Sequence, residues 1–427
     1  MQSTDYLCPG VLHAVPAKDG LLIRIRTPGG LISGVQLKAV AHAAERFSDQ
    51  TIDITVRANL QLRGIRQEDL ASLIEALASE DLIPSAQHDR VRNITTGPLA
   101  GLDPTEIFDT RALVQRLDRR LIKDTALVNL PPKFGFHIDG GGRRFDSEPA
   151  DIGLRAIADS GMIQFCLTLG DHRIGLSVDA DHAVECMIEA ARTCLDISKT
   201  YKIPSRARII ASVPDALEAL MNRLSPLLSQ YPHPIFLSNV SDAPIGVLTG
   251  TRSDKVHIIP SIPLGRLTAD QGHRIAEIVI RYEGDLRLAP WRGVVLGEMP
   301  IDAVDNVLAE LRTVSLLCDT IDGYAGIAAC AGLSGCTSAL ADVRQDASLL
   351  AQRLAGTTSR SVRTINLSGC EKRCAMRNGA AVELVAEPSG YNIKINGVLL
   401  RSECPPEAAV ELVASSLWNE ALPESEA

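Results

Sequence analysis

Aromatic residues are scarce in this chain: Phe, Trp and Tyr make up 4% of 427 residues, so a core must be filled by aliphatic side chains. No run of eighteen or more apolar residues occurs, which excludes an ordinary membrane-spanning helix, and no basic, apolar leader opens the sequence. A soluble, cytoplasmic protein is the expectation, with no membrane partner. Positive charge is not in excess either. A net charge of −9 argues against general nucleic-acid affinity and requires an anionic substrate to meet a local basic patch. A GxGxxG between strand and helix is absent, and the run Gly140-Gly141-Gly142 is not followed by Gly-Lys-Ser/Thr, so the chain shows neither a dinucleotide-binding fingerprint nor a phosphate loop. Without a leader, ten cysteines make a poor disulfide framework.

What is present is a soluble globular composition, 45% hydrophobic and 22% charged, at a length that predicts two to four domains. Four of the cysteines form two tight pairs, Cys330/Cys336 and Cys370/Cys374, with Gly335 and Gly369 next to them. Glycine there lets backbone approach a bulky inorganic ligand and turns N–H groups toward sulfur. Ser368 reads as the N-cap of a helix that carries Cys370 and Cys374 on one face. Four converging thiolates suit zinc or an iron–sulfur cluster, and the five-residue gap in the first pair fits zinc knuckles poorly. The other six, Cys8, Cys166, Cys186, Cys194, Cys318 and Cys404, read as small hydrophobes.

Along the chain, residues 21–26 (LLIRIR) read as a strand, ended by the turn Thr27-Pro28-Gly29-Gly30 and followed by a helix from Ser33 to about Ala44. Residues 53–65 read as a strand region carrying Arg57, Gln61 and Arg63, and 67–77 as a helix. Between Asp19 and Arg66 there are seven Arg/Lys against four Asp/Glu, a locally basic segment whose guanidinium forks suit carboxylates or phosphates. Arg90, Arg92 and Asn93 precede a Gly/Pro loop; Thr110 caps a helix to Asp124; Lys133 stands between Pro132 and a strand that leads to a hairpin-like turn at Asp139–Gly142. A helix is expected over 181–197, a strand over 206–213 (RARIIASV), a helix over 215–230 and a boundary at Tyr231–Phe236. The order of turn, helix and strand that starts at Pro28 recurs from Pro263, leading into a helix over 273–281 and the segment 285–296. Two such halves suggest a pseudo-twofold with a site at the seam, anion recognition in the first half and metal in the second.

The segments LIRIRTPGGLISGVQL, TVRANLQLRGI, VRNITTGPLAGLD and LPPKF, followed by Cys-x5-Cys and Cys-x3-Cys, resemble the sirohaem sulfite/nitrite reductase superfamily in order and over nearly the whole chain. The resemblance implies an α+β fold of two ferredoxin-like half-modules (1–95 and 236–312) and two reductase-like modules (96–235 and 313–427). It implies a [4Fe–4S] cluster on Cys330, Cys336, Cys370 and Cys374. It also implies a tetrapyrrole cavity, with Arg26, Arg92 and Lys133 toward the substrate, Arg57 on tetrapyrrole carboxylates, and Gln61 and Asn93 in the same wall. Within the superfamily, LRLAPWRGVVL, AACAGLSGCTSA and NLSGCEKRCA are most similar to the precorrin-3B synthase branch. Gly135 stands where the reductases carry a second lysine. That branch implies O2-dependent hydroxylation of precorrin-3A at C20 with γ-lactone formation, Lys133 and Arg92 as catalytic residues, and a mononuclear non-haem iron. NADH is then an indirect electron source through a separate reductase. None of the nine histidines forms a two-His-one-carboxylate motif in sequence. The alternatives are a sirohaem-dependent sulfite or nitrite reductase and a non-catalytic tetrapyrrole carrier, which would need no cluster.

Overall fold

The structure, a computed structural model, describes residues 8–145, 149–159, 161–231, 240–356, 364–377 and 379–418. Strands β1 (Gly20–Ile25), β2 (Thr51–Ile54) and β3 (Leu60–Ile65) form an antiparallel sheet in the order β1-β3-β2, with helix α1 (Gly34–Phe47) packed on it and α2 (Leu70–Ala78) on α1. A second sheet joins β4 (Ile94–Thr96), β5 (Phe136–Asp139) and β6 (Ile152–Asp159) in parallel, then turns antiparallel through β7 (Met162–Leu169) and β8 (His172–Asp179). Helices α3 (Arg111–Ile122) and α4 (Ala183–Tyr201) accompany it. A third, antiparallel sheet holds β9 (Lys255–Ile259), β10 (Asp285–Ala289) and β11 (Gly293–Pro300), with α5 (Ala269–Arg281) between β9 and β10 in the chain. The fourth repeats the second: β12 (Ile327–Ala329), β13 (Ile365–Ser368) and β14 (Val382–Glu387) are parallel, and β15 (Gly390–Ile395) and β16 (Val398–Cys404) antiparallel. Its helices are α6 (Val343–Leu354) and α7 (Pro406–Trp418). No helix among the described residues is long and apolar enough to cross a membrane.

The internal repeat is visible in the backbone. Gly29 and Gly30 hold φ of 69° and 70°, and Leu264 and Gly265 hold 54° and 69°, so both proline-led turns use two successive left-handed residues. Each turn leads to a reciprocally capped helix, Ser33 with Gln36 on α1 and Thr268 with Gln271 on α5, which satisfies two donors that a helix start would leave unpaired. The first and third sheets share one core, in which Leu37 and Ala41 of α1 meet Ile275 and Ile278 of α5. The chain also crosses between them: the short strand Arg266–Thr268 pairs antiparallel with β2. The second and fourth sheets keep separate cores.

Several local expectations change. The segment 206–213 is helical at Ala207–Ile210 rather than a strand, because the buried Asp151 carboxylate accepts the Ala207 N–H at 3.1 Å and Arg206 Nε at 2.8 Å and starts a turn. Asp139–Gly142 is not a hairpin, since β5 lies between two parallel neighbours. Residues 53–65 are two strands around a turn at Ala58, where φ is 52°. Thr110 precedes α3 without capping it, its hydroxyl being shared with Thr96 at 2.5 Å. The boundary expected at 231–236 falls largely on residues 232–239, outside the described residues.

At Gly30 a Cβ would lie 2.3 Å from the Leu288 carbonyl oxygen, on top of a left-handed φ. Gly30→Ala is therefore expected to lower unfolding free energy by about 2–4 kcal/mol, a strain and overlap cost. Urea unfolding checks this, and an unchanged midpoint would refute it.

Candidate active site: two cysteine loops beside an arginine-lined cavity

The cysteine pairs emerge from neighbouring parallel strands. Cys330 follows β12, a single helical turn (Gly332–Gly335) leads to Cys336, and Cys370 and Cys374 follow β13. Because β12 and β13 pair in register, both loops leave the carboxyl ends of the strands, where open parallel sheets bind ligands. Gly369 donates its N–H to Cys330 Sγ at 3.3 Å, and a Cβ there would stand 2.8 Å from the Ala339 Cβ, so glycine keeps the loops close. The helix expected at Cys370 does not form. Ser368 ends β13 and hydrogen-bonds Asn366 Oδ1 at 3.2 Å instead of capping, while Arg373 takes φ of 47° and pairs with Glu383 at 3.3 Å, which bends 369–374 into a turn.

Both half-modules grip these loops. Arg63 on β3 is forked on Asp19 at 2.8 and 3.0 Å and donates to the Gly335 carbonyl at 2.6 Å; a Cβ on Gly335 would collide with that guanidinium. Lys18 Nζ donates to the Leu333 carbonyl at 2.7 Å. From the third sheet, Arg292 donates to Ala329 O at 3.2 Å and to Ala375 O at 2.7 Å, so one side chain ties the residue before Cys330 to the residue after Cys374. Its φ of 63° turns it toward the loops, and a Cβ on Gly265 would lie 2.4 Å from its own Cβ. Burial depresses the Arg292 pKa, and the neighbouring Cys330 and Cys374 act in the opposite sense, favouring the cation.

Cys374, Trp291, Arg292 and Arg377 line a cavity of about 200 Å³. Beside it lies a second cavity of about 320 Å³ that shares Val56, Phe145 and Pro290 with the first and is lined by Arg57, Arg143, Arg144, Arg155 and Arg173. Only Arg57 of these five was singled out from the sequence. The others come from β6, β8 and the turn after Gly142, and their convergence depends on sheet pairing rather than spacing. Arg155 is paired with Asp139. His137 also lines this cavity, its Nδ1 at 2.9 Å from Thr95 Oγ1, and burial holds its pKa below the ordinary value, so it is neutral at pH 7.

The remaining expected site residues lie elsewhere. Arg26 and Arg92 line a separate cavity of about 170 Å³ with Thr27, Gln36 and Asp118. Arg92 is forked on Asp118, both contacts 2.8 Å. Arg26 reaches the Pro9 and Arg90 carbonyls through Nη2, while its buried Nε and Nη1 have no partner among the described residues. Burial, with Arg24 adding to it, pushes the Arg26 pKa down to about 9. Asn93 donates to the Arg90, Pro132 and Phe134 carbonyls, a staple for the loop that carries Lys133. Gln61 bridges Arg24 and Asp53 on the strand face. Lys133 is half-buried and lines none of these cavities.

The donor set fits an iron–sulfur cluster. All four loop thiols are unbridged and at least partly accessible, one accepts a backbone N–H, and a guanidinium compensates thiolate charge. The cysteines of the second sheet do not fit: burial pushes the Cys166 thiol up to about 11 and Cys186 to about 12, and raises Cys194 further. Replacing Arg292 with Gln removes the cation beside the loops. The expected outcome is a cluster reduction potential lower by some tens of millivolts, with Arg292→Lys intermediate. Potentiometric titration followed by electron paramagnetic resonance reads this directly, and a potential that rises or stays fixed at full iron content contradicts it.

The family described as nitrite/sulfite reductase ferredoxin-like half domain matches residues 13–80, and that described as nitrite and sulphite reductase 4Fe-4S domain matches residues 87–282. The latter match ends before the cysteine loops. A precorrin-3B synthase from Sinorhizobium sp is 29% identical over 400 residues, 91% of this chain and 82% of that protein. A ferredoxin–nitrite reductase from Synechococcus elongatus is 29% identical over 399 residues, 85% and 76% of the two chains. The structure of the Mycobacterium tuberculosis NirA protein superposes with a TM-score of 0.80 at 19% identity, covering 95% of this chain and 82% of that one. The chain belongs to the sulfite/nitrite reductase superfamily.

Proposed function

We propose that this protein is an oxygen-dependent precorrin-3B synthase of aerobic cobalamin biosynthesis. It hydroxylates precorrin-3A at C20 and closes a γ-lactone from the ring A acetate. One atom of O2 enters the substrate and the other leaves as water, with two electrons that originate in NADH and arrive through a separate reductase. The observation that carries the reading is Gly135. A Cβ at this position would meet only Ala150 and the Asn93 carbonyl at 3.8–3.9 Å, ordinary contact, and the backbone is not left-handed there. A Cβ is thus accommodated at this position, so neither backbone conformation nor contact at Cβ requires glycine there. Multi-electron reduction of a small oxyanion calls for cations at the anion, whereas a large polycarboxylate substrate calls for them at its rim.

In this reading Arg57, Arg143, Arg144 and Arg173 clamp acetate and propionate groups, fixing which meso carbon faces the oxidant. In its separate cavity Arg26, whose buried Nε and Nη1 have no partner among the described residues, offers a further contact to an anion, and Asp118 holds Arg92 in place. Lys133 lies outside these cavities and is assigned no step here, whereas neutral His137 offers a proton-exchanging group at the cavity wall. A [4Fe–4S] cluster on Cys330, Cys336, Cys370 and Cys374 supplies single electrons. The mononuclear non-haem iron implied by the branch has no ligand set in these cavities among the described residues.

Anaerobically purified protein is expected to contain about four irons per chain or slightly more, with iron–sulfur absorbance and no sirohaem bands. Stoichiometric sirohaem would instead assign sulfite or nitrite reduction, the Synechococcus elongatus relative being a ferredoxin–nitrite reductase. Cys370→Ser should abolish cluster and activity together. Arg57→Ala should weaken precorrin-3A binding about 10- to 100-fold, the value of a charged hydrogen bond, with iron content unchanged; undiminished affinity would remove Arg57 from the clamp.

A further inference from the structure

Outside the cavities, two histidines and a carboxylate that are remote in sequence converge on one spot. His42 and Glu45 are three residues apart on α1 and share a face, and His273 stands opposite on α5. One donor atom from each lies within 4.8 Å of the other two. Glu45 Oε2 is 3.9 Å from His42 Nδ1 and 3.6 Å from His273 Nε2. These separations are too long for hydrogen bonds. They are near the edge lengths of a coordination polyhedron instead: ligands about 2.0–2.2 Å from a tetrahedral zinc stand about 3.3–3.6 Å apart, so the His273 separation falls at the upper end and the His42 one needs a small side-chain adjustment.

The helix crossing fixes this geometry. Gly272, the residue before His273, packs on Ala41, the residue before His42, so closely that a Cβ on Gly272 would be 3.1 Å from the Ala41 Cβ. The contact belongs to the core shared by the two half-modules and holds the two imidazoles at a set distance. His273 is the least exposed of the three, with 25% side-chain accessibility against 54% for His42 and 58% for Glu45. Glu45 makes no other ion pair among the described residues.

We propose that His42, Glu45 and His273 form a binding site for one borderline divalent cation, zinc by preference, that bridges α1 and α5. Two imidazoles and a single carboxylate suit zinc, iron(II), nickel, cobalt or copper rather than calcium or magnesium, which demand more oxygen ligands. Three protein ligands leave a fourth position to water. None of the three residues lines the cavities or touches the cysteine loops, so this site stands or falls independently of the proposed reaction. Because the ligands come from both half-modules, an occupied site favours the folded arrangement by mass action.

The test uses the untagged, cluster-loaded protein, kept anaerobic and freed of loose metal by chelator. Titration with Co(II) is expected to give one equivalent with visible d–d bands and no sulfur-to-cobalt charge transfer. Competition with Zn(II) should abolish the bands, and saturating Zn(II) should raise the melting temperature by about 2–5 °C. In His42→Ala/His273→Ala, whose exposed side chains leave the fold intact by circular dichroism, both effects should vanish; Glu45→Gln should weaken binding at least about tenfold. Binding that persists in the double variant, a sulfur charge-transfer band, or no uptake by the wild-type protein would each overturn the proposal.

Discussion

A guanidinium that donates to a main-chain carbonyl inside a protein cannot be released without stranding either a charge or an unsatisfied oxygen. Arg63 and Arg292 are in that position on the two sides of the cysteine loops. Arg63 carries the first half-module's grip to Gly335, and Arg292 carries the second's to Ala329 and Ala375. The loops also hold each other, Gly369 N–H on Cys330 Sγ at 3.3 Å and Leu340 N–H on the Gly369 carbonyl at 2.8 Å, so the two cations tie the pair of loops as a unit to the half-modules. Their placement therefore depends on the shared core of the half-modules, transmitted through two cations. Arg292 also lowers the cost of gathering thiolates beside it, so there anchoring and electrostatic support are one interaction.

The repeated topology shows where the halves diverge. In the second sheet, the loop after β4 begins at Gly97 and the loop after β5 is the glycine run 140–142; in the fourth sheet the corresponding loops carry the cysteines. Within the repeat of proline-led turns, Gly30 packs against Ala58 and Gly265 against Arg292, both partners having left-handed φ. The position that is a small residue in the first half is thus the loop-anchoring arginine in the second. Around Ala58 the space opens onto the arginine-lined cavity; around Arg292 it closes onto the cysteines. A duplicated scaffold yields one basic wall and one cysteine-bearing wall, whose cavities share Val56, Phe145 and Pro290.

Much of this was legible in residue order. The cysteine pairs, the proline-led repeat and the capped helices α1 and α5 are local signals, set by neighbours within a few positions. The α+β class and the superfamily followed from them. What stayed hidden has long sequence separation. Arg143, Arg144, Arg155 and Arg173 join Arg57 only after β5, β6, β7 and β8 pair. Asp151 turns an expected strand into helix from more than fifty residues away. Arg92 and Asn93 look like substrate groups in sequence, but Asp118 and three carbonyls engage them, and no spacing rule announces such partners.

The charge distribution bears on which ligand the seam suits. The chain is acidic overall, so an anion is repelled at a distance and gains only where cations are concentrated and desolvated. Arg26 is the extreme case: burial has pushed its pKa to about 9, and its Nε and Nη1 have no acceptor among the described residues, a state that an incoming carboxylate would relieve. The arginine wall beyond Val56 and Ala58 concentrates positive charge in a different cavity. A small monoanion can answer only one of these, and the position that would concentrate charge on it is Gly135. A macrocycle with carboxylates around its rim presents several anionic groups to such clusters, and each added contact costs little further orientational entropy once the first is made. The separation of the basic groups into two clusters is thus better matched to a polycarboxylate tetrapyrrole than to nitrite or sulfite alone.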